Sequence, residues 1–349
     1  MKASAKGPWR ASALERRELL SYAAAFGSPF LARQGLAAPP QEKSGGRGRS
    51  APPARRYEMK KSINLWAFPY PDKWSLRKCL ELAKDAGFDG VEINFNLEGE
   101  FSAESSVEEV RAIKRMADDV DIAISGVCSF LFWPYSMTHN DPVRREEGIE
   151  LALKMVEAAR LLETENLLIV PGAVYAGWVE DFDPVPNDVC LQRAIEAMQR
   201  LIPAAERAGV SLNIENIFAN GFLLSPQEMI SFVDSFESSS VQIHFDTGNI
   251  MHYQFPEHWA RILGKRIKNV HFKEWDKRTQ EFNLHTFRTL LDGTTNWPAV
   301  IEELDQAGYR GYLTFEYFHP FEHYPEALIY QTSDALDFML GRKGESSAG

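Results

Sequence analysis

Residues 244–249 read HFDTGN, and the apolar stretch before them makes Asp246 the last residue of a strand that enters a Thr-Gly turn. A carboxylate placed there sits at the mouth of a core, where a lone buried charge is costly unless something pairs with it. Three more chemically capable residues stand on neighbouring strand candidates: Glu215 in NIEN, His271 in VHFKE and Glu316 in TFEY. A single acid after a strand commonly caps the next helix. Four successive strands, each ending in a carboxylate or an imidazole, are harder to explain as caps. Three acids crowded together repel one another unless a cation neutralises them. One divalent metal ion held by Glu215, Asp246, His271 and Glu316 meets that need and leaves positions for substrate oxygens. This donor set suits Mn, Mg, Co or Zn and does not choose among them.

The elements that must position these residues follow from the apolar pattern. Strand candidates are 62–67, 89–94, 122–128, 166–170, 210–215, 241–246, 267–272 and 311–316. They are short, rich in Val, Ile and Leu, and show little polar alternation, as expected of strands covered on both faces. Amphipathic stretches lie between them at 75–86, 106–120, 141–163, 188–208, 225–236, 256–263, 297–307 and 324–340. Ser75, Ser106, Asp141 and Ser225 stand where a side-chain oxygen can cap a helix start, and several helices run into a Gly. Strict alternation of this kind predicts an α/β fold, a (β/α)8 TIM barrel. A doubly wound open sheet would show a Gly-rich phosphate turn after the first strand, and NLWAFPYP has none. In a barrel the strand ends of residues 215, 246, 271 and 316 meet on one half of the C-terminal rim.

Further residues near that rim invite a role. Glu92 and Asn94, at the end of the second strand, are placed to meet substrate hydroxyls or to cap the next helix. Lys273 follows His271 by two and so points the same way, towards substrate or an acid. Asn216 and Asn249 are amides that can orient metal ligands, and Asn249 can also reach substrate. Trp66, Phe68, Phe132 and Trp133 read as rim packing, His244 as a satisfied core histidine, and His319 and His323 as loop residues.

Of the 349 residues, 44% are hydrophobic and 25% charged, an ordinary globular composition. Residues 1–58 hold 11 basic and 4 acidic residues, whereas 59–349 hold 27 and 45, a net of −18. Such an acidic body disfavours nucleic acid and anionic membranes as partners, and no apolar run is long enough to span a membrane. Cys79, Cys128 and Cys190 are too scattered for a disulfide framework and read as buried thiols.

The first 58 residues are left out of the barrel. Arg16-Arg17, an Ala-rich stretch and a small-residue end resemble a twin-arginine export signal followed by a linker, which implies a periplasmic protein. The alternative is a disordered basic extension ahead of Met59, with the protein in the cytoplasm. The expected organisation is therefore 1–58 extension, 59–341 barrel and 342–349 flexible tail.

Taken in order, NIEN, FDTGN, VHFKE and TFEY, spaced by 31, 25 and 45 residues, resemble the xylose-isomerase-like sugar-phosphate isomerase/epimerase superfamily, and its ketose 3-epimerases in particular. The resemblance implies a divalent metal on Glu215, Asp246, His271 and Glu316, with the two glutamates also forming the acid/base pair. It implies isomerisation or epimerisation of a ketose or ketose phosphate, and manganese is typical of such a centre. The DNA-repair branch carries a His three residues after the sixth-strand Asp, where this chain has Asn249, and His285 stands alone where that branch has a pair of ligands. A lyase or dehydratase acting on a keto-inositol or 3-keto-sugar on the same scaffold stays open, as does a non-enzymatic sugar-binding barrel. The expected partner is a small-molecule sugar. The oligomeric state is left open, a homo-oligomer included.

Overall fold

The computed structural model describes residues 56–343 except Phe282. Eight parallel strands form a closed barrel: β1 Lys60–Asn64, β2 Gly90–Asn94, β3 Ala123–Cys128, β4 Asn166–Ile169, β5 Ser211–Glu215, β6 Val241–Asp246, β7 Ile267–Phe272 and β8 Tyr312–Phe315. Each pairs with its neighbours in chain order, and β1 closes the ring against β8, with Ser62 opposite Thr314. Eight helices lie between and after them: α1 Leu76–Asp85, α2 Val107–Val120, α3 Pro142–Leu161, α4 Asn187–Ala208, α5 Pro226–Asp234, α6 Pro256–Leu263, α7 Trp297–Gln306 and α8 Pro325–Met339. The fold is the (β/α)8 barrel that the alternation predicts, and ring closure removes the open-sheet alternative.

The punctuation is chemical. Ser75, Ser106, Asp141 and Ser225 each accept a backbone N–H in the first turn of α1, α2, α3 and α5. Glu109 and Glu228 complete capping boxes with Ser106 and Ser225. Gly87, Gly209 and Gly308 end helices with positive φ, a conformation that costs a glycine little. β1 stops short of its expected end because Asn64 Oδ1 accepts Trp66 N–H at 2.8 Å and starts a 3-10 turn over Leu65–Ala67. An antiparallel pair, Glu274–Trp275 with Phe287–Arg288, folds the long loop after β7 and was not anticipated.

One expectation about the strands is corrected. They are buried on both faces, but the faces differ. Ile63, Val91, Ile93, Leu212, Ile214, Ile243, Phe245, Val270, Phe272, Leu313 and Phe315 are buried in the main apolar core. The alternate positions are Ser62, Asn64, Glu92, Asn213, Glu215, His244, Asp246, Asn269, His271, Thr314 and Glu316, all buried too. With a strand period of two, one set faces the helices and the other fills the lumen. The core that holds the barrel together is thus its outer layer, and the lumen is polar.

Residues 57 and 342, outside the expected barrel limits, help to close it. Tyr57 N–H donates to Leu340 O at 3.1 Å and Arg342 Nη2 to Met59 O at 2.7 Å. Residues 1–55 of the expected extension, including Arg16-Arg17, and 344–349 of the tail lie outside the described residues. Among the described residues no helix is long and apolar enough to cross a membrane. Cys79, Cys128 and Cys190 are free and buried, as expected.

Gly148 on α3 lets that helix lie against the loop after β3, since a Cβ there would come 2.1 Å from Tyr135 O, a backbone atom. Gly148→Ala should therefore lower stability by about 1–3 kcal/mol, the usual cost of overpacking, read as an earlier urea midpoint. An unchanged midpoint would show that the loop yields freely.

Candidate active site

The structure brings together the four residues that the strand ends single out. One ligating atom each of Glu215, Asp246, His271 and Glu316 lies within 4.8 Å of the others, and all four residues are buried. His271 Nδ1 is 3.5 Å from Glu215 Oε1, 3.8 Å from Asp246 Oδ2 and 3.4 Å from Glu316 Oε2. Ligands bonded at ~2.1 Å to one ion stand ~3.0–3.5 Å apart, so the cluster has the dimensions of a single metal site. Asp246 Oδ2, His271 Nδ1 and Glu316 Oε2 accept or donate no hydrogen bond although they are shut off from water. Buried polar atoms are normally satisfied; the Lys273 ammonium ion-pairs with the two carboxylate oxygens, and the convergence of all three atoms on one point fits a cation.

The imidazole is aimed from behind. His271 Nε2 lies 2.6 Å from Glu92 Oε2, which also accepts Asn64 Nδ2 at 2.7 Å. With Nε2 tied to Glu92, Nδ1 is the nitrogen that faces the three acids. Glu92 was expected at substrate hydroxyls or as a helix cap. It is fully buried within the lumen and bonded to His271. Its neighbour Asn94 is buried as well, with Cys128 Sγ 3.6 Å from its Oδ1. The Glu92 contact could not be read from spacing, because 179 residues separate the partners.

Asn216 and Asn249 hold the acids. Asn216 Oδ1 accepts Asp246 N–H at 2.9 Å and its Nδ2 donates to Asp246 O at 2.8 Å. Asp246 Oδ1 accepts the N–H groups of Gly248 and Asn249 at 2.8 and 2.7 Å, leaving Oδ2 for the centre. Asn249 Nδ2 donates to Glu215 Oε1 at 3.3 Å. Lys273 Nζ is an ion-pair partner of Glu316 and sits 3.2 Å from Asp246 Oδ2. Of the two partners expected for Lys273, the structure places it on the acids.

Electrostatics differ sharply across the cluster. Burial raises the Glu215 carboxyl to about 7 and the Asp246 carboxyl to about 6, helped by the charge of Glu316 and opposed by His271 at Glu215 and by Lys273 and then His271 at Asp246. Burial would also raise Glu316, but Lys273 and His271 outweigh it and hold that carboxyl at about 2. For His271, burial alone would lower the pKa. The charges of Glu92 and Glu316 and the nearby Glu215 carboxylate overcome it and push it well above the ordinary histidine value.

His244 is buried as expected but not satisfied. Neither ring nitrogen has a hydrogen-bond partner, and the ring stands edge-to-face on His271 at 4.0 Å. Burial and the charges of His271 and Lys273 keep it neutral. The side chains of Asn269 and Thr314, also in the lumen, have polar atoms without partners. Around the rim, Phe68 and Phe132 are buried, Trp133 packs on Trp178 and Trp66 on Phe318, in keeping with rim packing. His285 and His319, expected to stand apart, stack on each other at 5.1 Å.

The sequence matches the xylose isomerase-like TIM barrel family over residues 80–337. The chain belongs to that family. No curated protein matches it. Among solved structures it is similar to an L-ribulose 3-epimerase, with TM-score 0.66 and 18% identity over 81% of this chain and 95% of that one. It is similar to D-psicose 3-epimerase with D-tagatose from Clostridium cellulolyticum H10, with TM-score 0.65, 19% identity, and 80% and 98% coverage. It is also similar to 3-keto-D-glucoside 4-epimerase from E. coli, with TM-score 0.64, 16% identity, and 80% and 98% coverage. At these identities the likeness is one of fold.

In the metal-free protein the raised pKa of His271 keeps the ring charged above the pH at which an ordinary histidine loses its proton. The ring nitrogens of His271 should therefore show the imidazolium pattern by 15N NMR at about pH 8. A neutral pattern at that pH would mean that the acids carry the proton instead.

Proposed function

We propose that this protein is a divalent-metal-dependent epimerase or isomerase of a ketose or keto-sugar. The observation that carries the reading is the convergence of Glu215, Asp246, Glu316 and His271 Nδ1 on one buried point, with His271 oriented by Glu92. The neighbours named as epimerases of L-ribulose, D-psicose and a 3-keto-glucoside support it, since each name denotes chemistry at a carbon of a keto-sugar or ketose.

Glu215, Asp246, His271 and Glu316 would hold a divalent ion, which would supply positive charge to acidify the C–H bond beside a carbonyl. Glu215 and Glu316 come from β5 and β8, separated round the barrel by β6 and β7, so they approach the lumen from different sides. One takes the proton from the substrate carbon, and that C–H electron pair becomes the C=C bond of the enediolate. The other returns a proton, to the opposite face of that carbon in epimerisation or to its neighbour in isomerisation. Asn249 steadies Glu215 from the side, Asn216 holds the Asp246 backbone, and the Gly248 and Asn249 N–H groups take Oδ1 so that Oδ2 faces inwards.

Three outcomes test this. With Mn2+ as the probe, affinity should fall as pH drops from about 8 to about 5.5, because protons on Glu215 near 7 and Asp246 near 6, besides the one already on His271, must be displaced. Calorimetry that finds no uptake, or uptake indifferent to pH, would remove the metal from the reading. Glu215→Gln and Glu316→Gln should each reduce kcat by about 10²–10⁴-fold with metal content checked in parallel. A metal-replete Gln variant with full turnover would make that glutamate a ligand only. NMR in D2O across ketoses and keto-sugars should show deuterium entering the substrate without loss of water; elimination products would instead assign a lyase.

A further inference from the structure

The turn after β6 is built around one side chain that a four-ligand centre does not require. Lys273 is 3% exposed, and its ammonium lies among the carboxylates: paired with Glu316, 3.2 Å from Asp246 Oδ2 and 3.1 Å from Asn249 Oδ1. Thr247 clamps its backbone twice, with Lys273 N–H donating to Thr247 Oγ1 at 3.0 Å and Thr247 Oγ1 donating to Lys273 O at 3.0 Å. Gly248 makes room for it, since a Cβ there would come 2.8 Å from the Cβ, the Cγ and the carbonyl oxygen of Lys273. The rings of Phe287 and Phe318 flank the ammonium at 4.8 and 5.1 Å. Each residue of Asp246-Thr247-Gly248-Asn249 thus has a stated contact with Lys273, and a solvent-swept lysine would need none of them.

The two carboxylate oxygens paired with Nζ, Asp246 Oδ2 and Glu316 Oε2, are the same two that face His271 Nδ1 across the metal point. An ammonium and a divalent ion cannot both sit at full strength on one pair of oxygens, because like charges a few ångströms apart repel strongly where water is excluded. We infer that Lys273 is a built-in counter-cation: it holds the acid cluster together before metal arrives and weakens the affinity of the centre for the ion. This rests on the metal-centre reading above and adds to it a residue that keeps the ion exchangeable. Lys273 is a positioning residue here, acting through Glu316 and Asp246.

The test is calorimetric titration of the metal-stripped full chain with Mn2+ at about pH 8.5, the same pH for every variant so that proton competition is held constant. Lys273→Met should bind Mn2+ at least ~10-fold more tightly than the unsubstituted protein. Its metal-free form should melt earlier, so that added Mn2+ raises Tm by more than in the unsubstituted protein. Lys273→Gln removes the charge, keeps a hydrogen-bonding head and should shift affinity in the same direction; it answers the question if the Met variant does not fold. Lys273→Arg, which keeps the charge, should stay near the starting affinity. Equal or weaker Mn2+ binding in the neutral variants would overturn the inference, because a merely structural lysine would lower stability without tightening the metal. If the unsubstituted protein takes up no Mn2+, the metal-centre reading fails first, and that result is distinct from unchanged affinity in the variants.

Discussion

An ionised side chain sealed inside a barrel persists only if its neighbours compensate it, and here the compensation runs through one imidazole. His271 faces Glu92 on one edge and Glu215, Asp246 and Glu316 on the other. Removing any one of these charges would leave another buried without its counterpart, which is more damaging than never having made the pair. The register of β6 against β7, with Asp246 opposite His271, and of β8 against β7, with Thr314 opposite His271, therefore carries electrostatic as well as hydrogen-bonding consequences. A slip of one residue would turn the charged set towards the helices and the apolar set into the lumen.

That constraint explains how the fold divides its labour. The apolar residues that face the helices supply the burial that makes the barrel stable, which leaves the lumen free to be polar. Capping boxes and glycine ends fix where each helix starts and stops, and so set the height at which each strand delivers its last residue. Glu215 and Asp246 are the final residues of their strands, His271 is one short of the end and Glu316 is one beyond. These small offsets bring side chains of different length to one point. The unpartnered atoms of His244, Asn269 and Thr314 show that polarity continues below the centre, deeper than four ligands require.

Much of this was legible in the amino-acid order. Periodicity located all sixteen main elements, because helix caps, glycine stops and runs of Val, Ile and Leu are local signals. Glu215, Asp246, His271 and Glu316 were visible because strand ends in a barrel share a destination. What stayed hidden was decided by partners distant in the chain. Glu92 looked like a rim residue until β2 and β7 faced each other across the lumen, and Lys273 had two equally good partners until the turn after β6 folded against it. The alternation of the strands was missed for a related reason. Polar residues in a short strand normally mark a solvent face, and here they mark a sealed interior.

The distribution of charge within the lumen also bears on what kind of barrel this is. A protein that only holds a sugar needs hydrogen-bond donors and acceptors matched to hydroxyls, and neutral amides would serve at little electrostatic cost. This lumen instead buries two glutamates in unlike settings, Glu215 raised towards neutrality and Glu316 held ionised beside Lys273. Environments that push two carboxyls apart are what distinguishes a proton donor from a proton acceptor. Maintaining that difference takes a buried lysine, an oriented histidine and two amides that steady the acids. A barrel that only bound hydroxyls would have no use for such a division of charge, which is why the lumen chemistry bears on the proposed function.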